Sequence, residues 1–178
     1  TPYTNDWKGS RGQDWCNGFY TRNLSTTEQK AVLATSKSDD PYIDGRFMGS
    51  ENILNGDKVF FLSAEEAGKA AYGFIDDNAR IANYGDSAGG WWLRSPHQDY
   101  NSAGVVNASG GVRAEWVNDT NAARPAFNLK PDSVLLVSAA VGGKGAADGI
   151  FKIPEYSGDE WKLTLLDDTR TFRVTETA

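Results

Sequence analysis

The most regular alternation of apolar and polar positions lies in the second half of the chain. Val112, Ala114 and Trp116 alternate with Arg113, Glu115 and Val117, behind a Ser109-Gly110-Gly111 turn. Val105 and Val106 lie before that turn, so period two around glycines predicts an antiparallel hairpin. Upstream, Gly89-Gly90-Trp91-Trp92-Leu93-Arg94-Ser95-Pro96 reads as a central strand over 91–95. Its adjacent tryptophans point to opposite faces, because strand side chains alternate. The apolar run 58–62, Lys-Val-Phe-Phe-Leu, predicts a strand buried on both faces. Residues 124–129 predict a further strand with Pro125 at its start or on an edge.

Helical spacing is scarcer. Ser25-Thr26-Thr27-Glu28 and Ser63-Ala64-Glu65-Glu66 both fit a capping box. They predict helices over 26–35 and 64–72. Residues 1–24 are polar and aromatic, and Gly9, Gly12 and Gly18 argue for loop. Residues 36–56 read as a second loop. Beyond Pro131 the character changes: Val134 to Val137 is apolar, Gly142 to Gly149 is glycine-rich, and two alternating strands follow. Trp161, Leu163 and Leu165 share a face of the first, and Phe172 and Val174 of the second, with a turn at 167–170.

Composition narrows the classes. The chain has 178 residues, 39% hydrophobic and 12% aromatic, enough for a real core. A net charge of −6, with no basic cluster, disfavours a nucleic-acid partner. No apolar run approaches the ~18 residues that span a bilayer. One cysteine and one histidine exclude a zinc site of Cys/His type. Asp76-Asp77-Asn78 with Asp86 lacks the alternating ligands of a calcium loop and reads as a cap or solvated loop. No metal or cofactor is expected. Cys16, with no base or cation beside it in sequence, reads as a small buried hydrophobe.

Candidate binding residues cluster around the central strand. The loops 97–102 and 118–121 are rich in Asn, Asp, Gln, Ser and Tyr, which suits recognition and ordinary solvation alike. The ligand-binding candidates are Trp92, Arg94, His97, Asp99, Tyr100, Arg113, Trp116 and Asn118. Arg94 and Arg124 also read as structural, pairing with carboxylates or loop carbonyls. His97 and Asp99 beside Ser95 contain the residue types of a hydrolytic triad, but no nucleophile elbow accompanies them. No catalytic residue is expected.

Four motifs taken in order carry a resemblance. They are Asp57-Lys58-Val59-Phe60-Phe61-Leu62-Ser63 with Glu65-Glu66-Ala67, Trp91-Trp92-Leu93-Arg94-Ser95-Pro96, Val105-Val106-Asn107 with Gly110, and Arg124-Pro125-Ala126-Phe127. Together they resemble an uncharacterised domain family of secreted or surface proteins of Gram-positive gut bacteria. More distantly, the chain looks like the C-type-lectin-like fold of sulfatase-modifying factors. These resemblances imply an α+β domain over 1–130 with two short helices and antiparallel strands. A β appendage, or the lead-in to a following domain, occupies 131–178. They imply an extracellular or cell-surface location within a larger multidomain chain. The expected function is a non-enzymatic module binding a carbohydrate or a protein. The alternatives are an enzyme of the formylglycine-generating type, whose C-terminal cysteines are missing here, and a structural spacer.

Overall fold

In the computed structural model, which describes residues 5–49, 51–139 and 161–166, the chain is a mixed α+β protein. Its strand pairs are antiparallel. Contacts divide it into two compact units. One is Thr1–Leu24 with Ala34–Asn128; the other is Ser25–Leu33 with Leu129–Ala178.

The N-terminal region, expected as loop, forms the 13-residue helix α1 (Arg11–Asn23). Its start is well capped: Gln13 N–H donates to Ser10 Oγ at 3.1 Å, and Gly9 N–H donates to Gln13 Oε1 at 2.8 Å. Gly12, read as a breaker, serves packing instead. A Cβ on Gly12 would lie 3.0 Å from Phe61 Cε2, so its absence admits the ring of Phe61 against the helix. Cys16 is buried, while Phe19 and Tyr20 pack against the same core, a stripe at helical spacing.

Helix α2 (Thr26–Ala31) has the expected capping box, closed by Glu28 N–H to Ser25 Oγ and Ser25 N–H to Glu28 Oε2. It ends earlier than expected, because Val32 turns into an isolated bridge with Leu129. The supposed loop 36–56 supplies β1 (Thr35–Lys37) and β2 (Leu54–Asp57), which pair with each other.

Of residues 58–62, Val59, Phe60 and Phe61 are buried in the core as expected, and Lys58 and Leu62 at the ends are half-buried. The run joins no ladder. Phe60 alone is bridged, exchanging hydrogen bonds of 2.9 and 2.8 Å with Ala126. Residues 124–129 likewise contribute isolated bridges in place of the expected strand. The second capping box opens α3 (Ala64–Ala67), which stops at Gly68 and resumes as a 3-10 turn, Ala70–Tyr72. Tyr42 packs where a Gly68 side chain would stand, its Oη 2.5 Å from the Cβ position.

A hairpin of β3 (Ala82–Tyr84) and β4 (Ser87–Gly89) leads into the central sheet. That sheet is β5 (Trp91–Pro96), β6 (Ser102–Val106) and β7 (Val112–Trp116), in that order. Gly110, at φ +85, makes the turn before β7. In the other unit β8 (Val134–Ala139) pairs with β9 (Trp161–Leu165). The predicted strand with Phe172 and Val174, and the turn at 167–170, lie outside the described residues.

The two tryptophans of β5 enter different cores, as alternation requires. Trp91 packs with Phe47, Ala64, Ala67, Leu93 and Val106, and its indole N–H donates to Arg80 O at 3.1 Å. Half-buried Trp92 packs against Trp7, Cys16, Leu54, Val59, Phe60 and Phe61.

Candidate functional site

The loops at the Pro96 end of the central sheet are held in place by backbone contacts. Asn5 Nδ2 donates to the carbonyls of His97 (2.8 Å), Ser102 (2.7 Å) and Asp99 (3.1 Å), pinning the β5–β6 loop. Asp119 N–H donates to Trp116 O at 2.8 Å, closing the turn after β7. Val117 N–H donates to Asn101 O at 2.9 Å, so the two loops lie side by side. This brings Asp99, Tyr100, Trp116 and Asn118 to one end of one sheet. All four are exposed, Tyr100 at 75% and Trp116 at 61%. Exposed aromatics on a braced scaffold offer flat apolar faces, and the neighbouring amide and carboxylate offer hydrogen bonds.

His97 belongs to the loop's own structure. Its ring meets Phe47 edge-on, with centroids 5.4 Å apart. Asp99 approaches His97 Nδ1 with both its backbone N–H, at 3.2 Å, and its carboxylate Oδ2, at 3.3 Å. Ser95 is 1% exposed, and its Oγ accepts from Ala64 N–H at 2.9 Å and Asn52 Nδ2 at 3.4 Å. These three residue types therefore serve packing and loop closure.

Arg94 sits beneath the surface, its side chain wholly buried. It pairs with Asp39 and Glu66, and donates to Asn52 O at 3.0 Å and Phe61 O at 2.7 Å. Lys37 completes the cluster, reaching Glu66 and, at 2.7 Å, Asp39. The guanidinium is thus spent on internal partners, and its expected ligand role gives way to its structural one. Burial alone would raise the Asp39 carboxyl. The hydrogen bond from Lys37 and the charge of Arg94 outweigh it and hold the group below the ordinary carboxylate range. At Lys37 burial would lower the ammonium, and its hydrogen bonds to Asp39 and Glu66 with their negative charge outweigh that and hold it above its ordinary value. No local pattern in the sequence marks Asn5, Lys37 or Asp39, and for Glu66 it marks only the capping role. Sequence separation hides such contacts, since Arg94 and Asp39 are 55 residues apart.

Trp92 and Arg113 stand away from the loop end. Both flank Val105 in the sheet register. Trp92 lines a cavity of about 600 Å³ with Trp7, Phe61, Asn5, Asp6 and Arg11. Arg124 finds no carboxylate among the described residues. Its guanidinium lies over Trp91, 4.7 Å from the ring centroid, and its Nη1 is buried without a partner there. Cys16 is fully buried, and its thiol is pushed up to about 12 by burial and by the charge of Asp57. Such a thiol is inert at neutral pH.

Fold and loop end together define a mixed α+β domain with a braced, aromatic, polar-rimmed surface. The chain belongs to the family described as Domain of unknown function (DUF6273), which matches residues 2–131. Comparison with curated proteins and with solved structures finds no match.

Proposed function

We propose that this chain is a non-enzymatic, extracellular binding module of a larger bacterial surface protein. Its ligand is a carbohydrate or a protein, taken at the loop end of the central sheet in the manner of a C-type-lectin-like domain. The observation that carries the reading is the pairing of exposed Tyr100 and Trp116 with Asp99 and Asn118 on loops hydrogen-bonded to each other. Aromatic residues at such positions dominate binding energy because they bury large rigid surfaces at low entropic cost. The buried thiol of Cys16 weighs against a formylglycine-generating enzyme, whose chemistry uses reactive cysteines.

A glycan-array screen of the chain, with Tyr100→Ala and Trp116→Ala beside it, tests the carbohydrate form of the reading. Binding by the intact chain that weakens at least about fivefold in each variant is expected, equivalent to about 1 kcal/mol per aromatic. Binding that both variants retain in full would move the site elsewhere.

A further inference from the structure

The two edges of the central sheet differ. At the β5 edge the outward backbone groups are occupied. Trp92 N–H donates to Ala122 O at 3.0 Å and Arg94 N–H to Leu62 O at 2.9 Å. At the β7 edge, among the described residues, only the carbonyl of Trp116 is occupied. Val117 N–H donates inward to Asn101 O, and Gly111 O accepts from Asn107 N–H. The unbroken register from Ser102↔Trp116 to Val106↔Val112 then points Arg113 and Glu115 backbone groups toward β6. The N–H and C=O groups of Val112 and Ala114 therefore face outward, and among the described residues they take no partner. Trp116 faces outward too, its carbonyl accepting from Asp119 N–H. Arg113, Ala114 and Trp116 are exposed.

An open edge normally carries charges that discourage pairing. Here the charges alternate in sign. Val112-Arg113-Ala114-Glu115-Trp116 is apolar, cationic, small, anionic and apolar, so it complements itself when read in the opposite direction. Arg113 has no ionic partner among the described residues. Glu115 uses one oxygen, Oε2, to accept from Asn121 Nδ2 at 2.7 Å.

We infer that β7 is a homodimerisation edge, pairing antiparallel with β7 of a second copy about a two-fold axis at Ala114. Ala114 exchanges both hydrogen bonds with the partner's Ala114. Val112 and Trp116 stand opposite the partner's Trp116 and Val112, with Trp116 N–H donating to the partner's Val112 carbonyl while Trp116 O keeps its bond from Asp119 N–H, and part of an exposed indole is covered. On the other face Arg113 stands opposite the partner's Glu115, and Glu115 opposite the partner's Arg113. Directly opposed unlike charges stabilise a strand pair and like charges disrupt it. The two three-stranded sheets become one of six strands. This pairing does not rest on the ligand reading above, and because both use the exposed Trp116 indole, a ligand seated there competes with the second copy.

Sedimentation equilibrium of the 178-residue chain, from low micromolar to millimolar, tests it. The mass is expected to rise with concentration toward twice the monomer value. Ala114→Pro removes an N–H that faces away from β6, so it spares the internal ladder and should hold the mass at the monomer value. Arg113→Glu opposes carboxylates at both symmetric sites and should weaken association at least about tenfold. Arg113→Glu with Glu115→Arg restores unlike pairs and should restore dimerisation. A chain that stays monomeric at millimolar concentration would overturn the proposal. So would dimerisation undiminished in folded Ala114→Pro, or a charge-swapped double variant no better than Arg113→Glu.

Discussion

Arg94 decides more than any other single residue. It joins Asp39 from β1's flank, Glu66 from α3, and the carbonyls of Asn52 and Phe61 around one buried guanidinium. Removing one member of a buried ion cluster leaves the others charged and unpaired, at a cost of about 3–5 kcal/mol. Arg94→Ala should lose stability on that scale in urea denaturation. Arg94→Lys should recover little of it, since an ammonium cannot present the planar fork that reaches both carboxylates. The same cluster makes stability depend on pH. The depressed Asp39 stabilises fully above its ordinary pKa of about 3.9, and that contribution is lost as pH falls through its lower folded value. The raised Lys37 stabilises fully below about 10.4, and its contribution is lost as pH rises through its higher folded value. Melting temperature should therefore fall at both extremes, with Asp39→Asn flattening the acid limb and Lys37→Met the alkaline one. An unchanged acid limb in Asp39→Asn would show that other carboxylates set it.

Among the elements, local signals were legible and long-range ones were not. Ser63 and Glu66 announced the start of α3, because a capping box is written in four consecutive residues. The β6–β7 hairpin was legible from Gly110 and the alternation after it. Helix α1 was not, because Gly12 reads as a breaker until Phe61, far along the chain, is seen against it. Residues 58–62 were legible as buried but not as unladdered, since composition reports burial and says nothing of a partner strand. The hairpin turn offers a paired test of backbone constraint. Gly110 has φ +85, and a Cβ there would lie 1.7 Å from Asp77 O. At Gly111 the nearest atom would be 3.5 Å away. Gly110→Ala should lower stability by about 1–3 kcal/mol or more, while Gly111→Ala stays near neutral. Equal losses in thermal unfolding would mean that the turn relaxes freely.

For the molecule as a whole, four of the eight candidate ligand residues gather at one place: Asp99, Tyr100, Trp116 and Asn118. They were legible because each sits in or beside a polar loop flanking an alternating strand. His97 sits beneath them as part of the loop. Arg94 was legible as important, but its chemistry faces inward, and no local pattern separates a buried arginine from an exposed one. Trp92 and Arg113 share a sheet face with Val105 and stand apart from the loop end. The cavity beside Trp92 is thus the natural competitor for a ligand. The most direct test is a ¹H–¹⁵N NMR titration of the chain with a glycan that scores on the array. Shifts concentrated at Asp99, Tyr100, Trp116 and Asn118 are predicted, with the Trp116 indole N–H among the largest. Shifts concentrated at Trp7, Arg11 and Trp92 would contradict the account and place the ligand in the cavity.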